Sequence, residues 1–352
     1  MKTLAIAAIT SLFAIPLAAA EDVPRTASGK PDFSGTYDTK TITPLERSDP
    51  NSLVIDATDA ENYSKGVKAR NQAADNRVSD PNRSAPPEGG DGSRGPAGNV
   101  GGYNRFWIDN GDEFTKVDGE YPTSIVYYPE NGRRPGWTEA AIGRWSQFRA
   151  HWRQNTGTAY WLEEGIAGPS DHPEYLTLSD RCLLGFSSTG GPPMLPALYN
   201  NIKRVVQSED TLMILIEMVH DARIIRIGGE HVPDDVRKWL GDSVAWWEDD
   251  TLVVDTTNFN DTPALGGATR ELHVVERFSM VDDDTLHYDF TVTDPGAWKD
   301  KWSGRYTWPK TDDQMYEYAC HEGNYSMQGI LKGARVLEED WYAQKEQEET
   351  GE

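Results

Sequence analysis

Short runs of β-forming residues follow one another through the second half of the chain, and they limit its fold more than any other feature. The turns between them are acidic or glycine-rich, as at residues 208–210, 228–229, 248–250 and 282–284. Consecutive strands joined by tight turns pair in the antiparallel direction. The sequence therefore predicts a mainly β protein, an antiparallel barrel or sandwich, with β-type runs at 211–226, 251–259, 272–278, 285–294 and 315–322.

Ionisable residues lie within these apolar runs, among isoleucines, valines and leucines. Burying a charge is costly unless the charged group is paired or hydrogen-bonded. The pattern therefore favours a sheet whose polar side chains gather around a pocket.

The run 211–226 reads as a single strand whose side chains alternate between two faces. Glu217, Asp221 and Arg223 then share one face, and His220 lies on the other. If the first face lines an enclosed space, Arg223 is suited to hold a carboxylate or an enolate, because its planar fork matches two oxygens. A ladder of salt bridges on a solvated face is the alternative.

The histidines are candidates for proton transfer, because the pKa of an imidazole lies near neutral pH. A carboxylate from a neighbouring strand suits His220 better than Asp221 does, and Asp255, Glu276 and Asp289 are available. A structural role is the alternative for each histidine. The candidate catalytic set is His220, Asp221, Arg223, Glu217, Asp255, Glu276 and His321, and the candidate substrate-binding set is Tyr103, Trp107, Tyr199, Asn201 and Trp246.

The first twenty residues are typical of a secretory signal peptide. Lys2 is followed by an apolar stretch up to Leu17 and by three alanines that end at Ala20, the expected cleavage site. A retained anchor helix is the alternative, and no other stretch is long enough for a membrane span. We therefore expect a periplasmic or secreted protein in which Cys182 and Cys320 form a disulfide.

The net charge excludes nucleic acid as a partner. The chain has 57 acidic and 34 basic residues, a formal charge of −23, with no basic stripe to offset it. Metal-ligand spacings such as Cys-x-x-Cys or His-x-x-x-His are missing from the sequence, and so are phosphate-binding glycine patterns. We expect no metal and no organic cofactor, and a small molecule as the partner.

The order of segments predicts one β domain with polar extensions. Residues 1–20 are the signal peptide, 21–64 an N-terminal segment with an opening strand at 31–40, and 65–104 a Gly/Pro-rich loop that is either a lid or mobile. Residues 105–337 form the β-barrel domain, and 338–352 an acidic tail that is a solvated helix or disordered. An amphipathic helix is predicted after Thr138, and a second short helix over 234–240.

Several phrases together resemble a large family of exported bacterial proteins of undefined activity. They are Pro31-Asp-Phe-Ser-Gly-Thr-Tyr37, Glu217-x-x-His-Asp-x-Arg223, Trp239-x-Gly-Asp-Ser243 and Asp250-Thr-Leu-Val-Val-Asp-Thr-Thr-Asn-Phe259. The opening strand is also similar to the Gly-x-Trp strand of lipocalin-like barrels, with Tyr37 in place of the tryptophan. The resemblance implies a lipocalin/calycin-like fold and carries no reaction with it.

Two functions fit these observations. The first is an exported barrel enzyme that uses cofactor-independent acid–base chemistry, as a lyase, isomerase, hydratase or hydrolase, on a small, partly apolar, cyclic substrate. The second is a periplasmic lipocalin-like protein that binds an apolar small molecule. Convergence of His220, Arg223 and Glu276 on one cavity favours the enzyme, and an apolar cavity favours the carrier.

Overall fold

The computed structural model describes residues 23–76, 82, 108–151 and 157–351. The predicted signal peptide, the candidates Tyr103 and Trp107, and most of the Gly/Pro-rich loop lie outside these residues.

A ten-stranded sheet forms the body of the protein, and the described residues also contain four α-helices. The strands are β1 (Gly35–Asp38), β2 (Val54–Ile55), β3 (Tyr121–Pro122), β4 (Val126–Tyr128), β5 (Ile202–Gln207), β6 (Thr211–Ile216), β7 (Ala222–Ile227), β8 (Asp242–Glu248), β9 (Thr251–Thr257), β10 (His273–Met280), β11 (Thr285–Thr293) and β12 (Trp302–Pro309). The helices are α1 (Ala57–Asp75), α2 (Glu139–His151), α3 (Tyr160–Glu164) and α4 (Tyr325–Thr350).

The sheet is curled into a half-barrel. Its order is β1-β5-β6-β7-β8-β9-β10-β11-β12-β4, and β2 pairs separately with β3. All neighbours in the large sheet are antiparallel except β7 and β8. The curl brings β1 to the end of β12, where Tyr37 bridges Lys310 and the N–H of Thr311 donates to the carbonyl of Thr36 at 2.9 Å. The prediction of a mainly β, mostly antiparallel fold is confirmed.

Alternation along the strands fills the concave side with aromatic rings. In β11, Tyr288 and Phe290 are buried, while His287 and Asp289 alternate with them on the other face. Trp308 of β12 lies 4.8 Å from the Tyr288 ring. Because such rings bury large areas and interlock, they occupy space that a lipocalin-like carrier would leave for its ligand.

A buried segment before β5 enters the same interior, and we call residues 188–195 the plug. Every residue of the plug is buried. Two tyrosines bind the plug at Met194. The hydroxyl of Tyr288 accepts the N–H of Met194 at 2.9 Å, and the hydroxyl of Tyr306 donates to the carbonyl of Met194 at 2.9 Å. The buried backbone of the plug thereby obtains hydrogen-bond partners from the sheet.

The run 211–226 is a hairpin, so its prediction as one strand was wrong. Strands β6 and β7 are joined by a turn, residues 217–221, which the N–H of Ile216 closes by donating to the carbonyl of Asp221 at 2.8 Å. Val219 and His220 have φ values of 59° and 46°, in the left-handed region that a β-branched residue rarely adopts. The turn interrupts the alternation of side chains along 211–226, so the predicted placing of Glu217, Asp221 and Arg223 on one face does not hold.

Other local predictions had mixed outcomes. Helix α2 is confirmed, with the hydroxyl of Thr138 accepting the N–H of Ala141 at 3.1 Å as its cap. The short helix over 234–240 was wrong, because that segment forms turns and an isolated bridge from Lys238 to Phe259. Residues 315–322 do not form a strand either. Helix α1, capped by Asp56, was not predicted, and the acidic tail belongs to α4.

A disulfide joins the segment before the plug to the segment before α4. Cys182 and Cys320 are bonded, as predicted, with 5.6 Å between their Cα atoms and a sequence separation of 138. We call residues 311–319, which run from β12 to this bond, the strap. In the described part of the chain, none of the helices has both the length and the apolarity that a membrane crossing needs.

Candidate functional site

Six of the seven predicted catalytic residues divide among three places, and the first is a buried ion pair inside the half-barrel. Arg223 of β7 donates to both oxygens of Glu276 of β10, with Nη1–Oε1 2.9 Å and Nη2–Oε2 2.7 Å. Tyr288 donates to the same carboxylate at 2.7 Å, and Ser243 accepts from Arg223 at 3.2 Å. The two ion-paired side chains are 1% and 0% exposed.

This pair is held as an ion pair by its partners. Burial opposes the charge on Arg223, but the attraction of Glu276 outweighs it, so the pKa of the guanidinium lies above its ordinary value. Burial also raises the pKa of the Tyr288 hydroxyl well above its ordinary value, which keeps it a donor. Arg223 and Glu276 are therefore paired with each other away from solvent, and His220 does not converge on them.

The second place is the turn between β6 and β7, which carries three of the predicted catalytic residues. Glu217 is 5% exposed and accepts the N–H of Tyr316 at 3.0 Å. His220 is exposed, and its ring makes no hydrogen bond within the described residues. One carboxylate oxygen of Asp221 is buried without a partner, and burial raises the pKa of this group to about 6.

Two adjoining clefts flank this turn under the strap. One, of about 610 Å³, is lined by Glu217 together with the predicted binding residues Tyr199 and Asn201. The other, of about 620 Å³, is lined by Glu217 and His220. The Asn201 amide donates to the carbonyls of Asp109 and Ala197, at 2.9 and 3.0 Å, and so fixes the loop that forms the cleft wall.

The third place is a chain of imidazoles and carboxylates on the outer side of the sheet. Asp255 of β9 contacts His273 through Oδ1 at 2.5 Å and His231 through Oδ2 at 2.8 Å. The other ring nitrogen of His231 lies 3.1 Å from Asp242 at the start of β8. The two histidine side chains are 42% and 27% exposed, so this cluster is reachable from solvent.

Cationic side chains bind Asp242, the most buried member of this row of imidazoles and carboxylates. Arg226 donates to both of its oxygens at 3.0 and 2.8 Å, Lys238 donates at 2.5 Å, and the N–H of Val232 donates at 3.1 Å. Although burial opposes ionisation, these donors hold the pKa of Asp242 far below its ordinary value. The loop that carries His231 is thereby tied to the sheet through a permanently charged carboxylate.

The contact between His273 and Asp255 changes the pKa of both groups. The hydrogen bond to Asp255 raises the pKa of His273 above its ordinary value despite burial. Burial opposes the charge on Asp255, but the two histidines outweigh it and lower its pKa. An ionised carboxylate therefore orients His273 through Nε2, while no described residue hydrogen-bonds to Nδ1.

Sequence reasoning named Asp255 and missed its partners. Val275 pairs with Asp255 in the sheet, so His273, two residues before Val275, lies on the same face as Asp255. Period-two alternation combined with that register could have found His273. His231 lies in an irregular loop, and no periodic signal places it beside a strand.

The remaining predicted site residues lie elsewhere. Trp246 is 43% exposed on β8 and donates to Glu248 at 3.0 Å. His321 is exposed in the turn after Cys320. Across the described ranges, no group of three or more His, Cys, Asp or Glu side chains is arranged to hold a metal ion.

Comparison of the chain with protein-family models, with curated proteins and with solved structures gives no match.

Proposed function

We propose that the protein is an exported enzyme that carries out cofactor-independent acid–base chemistry at the outer His–Asp cluster. His273 is the catalytic residue, and Asp255 and His231 are positioning residues. The observation that carries the proposal is the contact of His273 with Asp255, which leaves one imidazole nitrogen open to solvent. A histidine held in this way takes a proton from a substrate and returns it, as in triad enzymes on unrelated folds.

The charges in the cluster determine which nitrogen of His273 donates a proton and which accepts one. With Asp255 ionised, the Nε2–H of neutral His273 donates to it, and Nδ1 presents a lone pair to the substrate. Proton abstraction produces an imidazolium that Asp255 stabilises. Asp242 keeps His231 against the other oxygen of Asp255, so the carboxylate cannot rotate without breaking two contacts.

A small, partly apolar and cyclic molecule remains the proposed substrate, and lyase, isomerase, hydratase and hydrolase reactions all use such a group. A lipocalin-like barrel is the proposed fold type, supported by the approach of β1 to the end of β12. Export is supported by the disulfide and by the N-terminal sequence pattern. A place in the exported bacterial family is likewise proposed from the shared phrases.

A generic proton-abstraction probe tests the proposal. The ring of 5-nitrobenzisoxazole opens when a base removes one proton, and the product is followed by absorbance. We expect the mature protein to accelerate this reaction, with a rate that rises with pH through a pKa above the ordinary histidine value. His273→Ala should remove the acceleration, because it deletes the base while leaving the sheet intact.

His220→Ala is the matched control, because His220 is the exposed histidine that the sequence favoured as the base. Its rate should equal that of the unmodified protein. A protein that does not exceed the buffer rate, or a loss of rate in His220→Ala with none in His273→Ala, would contradict the proposal.

A further inference from the structure

The cleft under the strap that Tyr199 and Asn201 line lies apart from the outer His–Asp cluster, and its lining has a distinct chemistry. We call it the strap cleft. Its volume is about 610 Å³, and it lies between the strap, the loop before β5 and the turn that follows β6. Its acidic lining residues are Asp38, Asp109, Glu217, Asp313 and Glu317.

Carboxylates outnumber the cations that reach this cleft. The lining contains Asp and Glu side chains from four different segments and neither lysine nor arginine. Lys40 is bound to Asp38 at 2.7 Å and to Asp109 at 2.9 Å, which offsets one charge between them. Glu217, Asp313 and Glu317, which line the cleft, form no ion pair within the described residues.

Glu217 is the observation that points to a ligand. The residue is 5% exposed, and its Oε1 accepts the N–H of Tyr316. No described residue donates to Oε2, and Oε2 is not among the buried atoms that lack a partner. Glu217 lines the strap cleft and the cleft beside it, and its side chain is largely desolvated, so its attraction to a cation there is stronger than in bulk water.

The nearby buried cation, Lys203, does not act as the partner of Glu217 in the cleft. Lys203 is fully buried, donates to the hydroxyl of Thr39 at 3.0 Å and lies 5.8 Å from the centre of the Trp308 ring. Burial lowers its pKa to about 8, although Asp38 and Glu217 oppose this change. The ammonium group is therefore held inside the protein and points to Thr39 rather than into the cleft.

Three tyrosines supply apolar and π-rich surface beside these carboxylates. Tyr199 comes from the loop before β5, and Tyr316 and Tyr318 come from the strap. Tyrosine faces attract cations, and their rings pack against apolar groups. An anionic base with aromatic walls matches a positively charged head attached to an apolar body.

We propose that the strap cleft binds a small organic cation, an ammonium group on an apolar body, with Glu217 opposite the ammonium and the tyrosines around the body. The proposal does not depend on acid–base chemistry at His273, because the two places share no residue.

Calorimetric titration of the mature full-length protein with benzylamine tests the ligand class, and benzyl alcohol is the neutral control of the same shape. We expect benzylamine to bind at pH 7 and benzyl alcohol to bind at least about tenfold more weakly, the factor of one lost charge-assisted contact. Binding of benzylamine should weaken as NaCl is raised from low to high concentration. Equal affinity for the two compounds, or no binding of benzylamine, overturns the proposal.

Substitutions test the place. Glu217→Gln keeps the shape and the acceptor for Tyr316, and it should weaken benzylamine binding about tenfold. Glu209→Gln, in the exposed turn at the other end of β6, is the matched control and should leave binding unchanged. If Glu217→Gln does not fold, the exposed strap variant Asp313→Asn/Glu317→Gln replaces it, with a smaller but measurable loss expected. Unchanged binding in the folded variant overturns the assignment.

Discussion

Arg223 and Glu276 face each other across the interior of the half-barrel and form two parallel hydrogen bonds, of 2.9 and 2.7 Å, where water does not reach. Both were predicted from the sequence as catalytic residues. Their burial argues against that role, because the pair is covered by Tyr288 and a substrate would have to displace it to reach either side chain. The pair fixes how β7 and β10 approach each other.

Glu276→Gln leaves the Arg223 charge without its counter-ion, and we expect it to lower the free energy of unfolding by about 3–5 kcal/mol in urea denaturation. Glu248→Gln is the matched control, because it breaks an exposed ion pair with Arg277 and should cost much less than Glu276→Gln. Replacing both buried partners by Met and Leu should recover most of the loss. Equal losses for the two glutamate variants would show that burial does not control the effect.

Reduction of the disulfide between Cys182 and Cys320 tests how firmly the strap is held. Opening a closed loop of 138 residues should lower the free energy of unfolding by about 4–5 kcal/mol in the chain-entropy model. Urea denaturation with and without a reductant measures this change. Cys182→Ala/Cys320→Ala should match the reduced protein and should not respond to the reductant, and a large response in that variant would indicate another cause.

Asp221 makes the stability depend on pH in an unusual direction. Because burial raises its pKa to about 6, the folded state keeps a proton that the unfolded chain loses near pH 4. The contribution of Asp221 to stability therefore falls as the pH rises from about 4 to about 6. Asp221→Asn removes this titration, so its advantage over the unmodified protein in urea denaturation should be larger at pH 7 than at pH 4.

The control for Asp221 is Asp210→Asn at the other end of β6. Hydrogen bonds from Ser208 and Thr211 lower the pKa of Asp210, so its contribution is present at neutral pH and is lost as the pH falls. The two variants should therefore shift the pH dependence in opposite directions. A parallel shift would mean that Asp221 is not the group that titrates.

The sheet could be predicted because alternation and turns are local signals. The assignment of Tyr288 and Phe290 to the core follows directly from the period of β11. The turn at 217–221 could not be found in this way, because Val219 occupies a left-handed conformation that its side chain disfavours and tertiary packing imposes. The apolar residues around it gave the same pattern that a continuous strand gives.

The candidate site was harder to predict than the sheet because it combines residues from segments of different kinds. Asp255 and His273 belong to paired strands, and their register is recoverable. His231 is brought to them by a loop tied to Asp242 through Arg226 and Lys238. Such a loop obeys no periodicity, and its position depends on ion pairs that form only in the folded chain.

The titration of His273 tests the outer His–Asp cluster without any substrate. The hydrogen bond to Asp255 raises the pKa of His273, so this contact contributes fully to stability below the ordinary histidine pKa, about 6.5, and its contribution is lost as the pH rises through the raised value. Asp255→Asn should lower the pKa of His273, measured from its imidazole ε1 signal by NMR. Asp261→Asn removes an exposed carboxylate paired with Arg270 and should leave that titration unchanged. If the pKa of His273 is the same in both variants, Asp255 does not control the titration of His273, and the proposed catalytic role of His273 loses its basis.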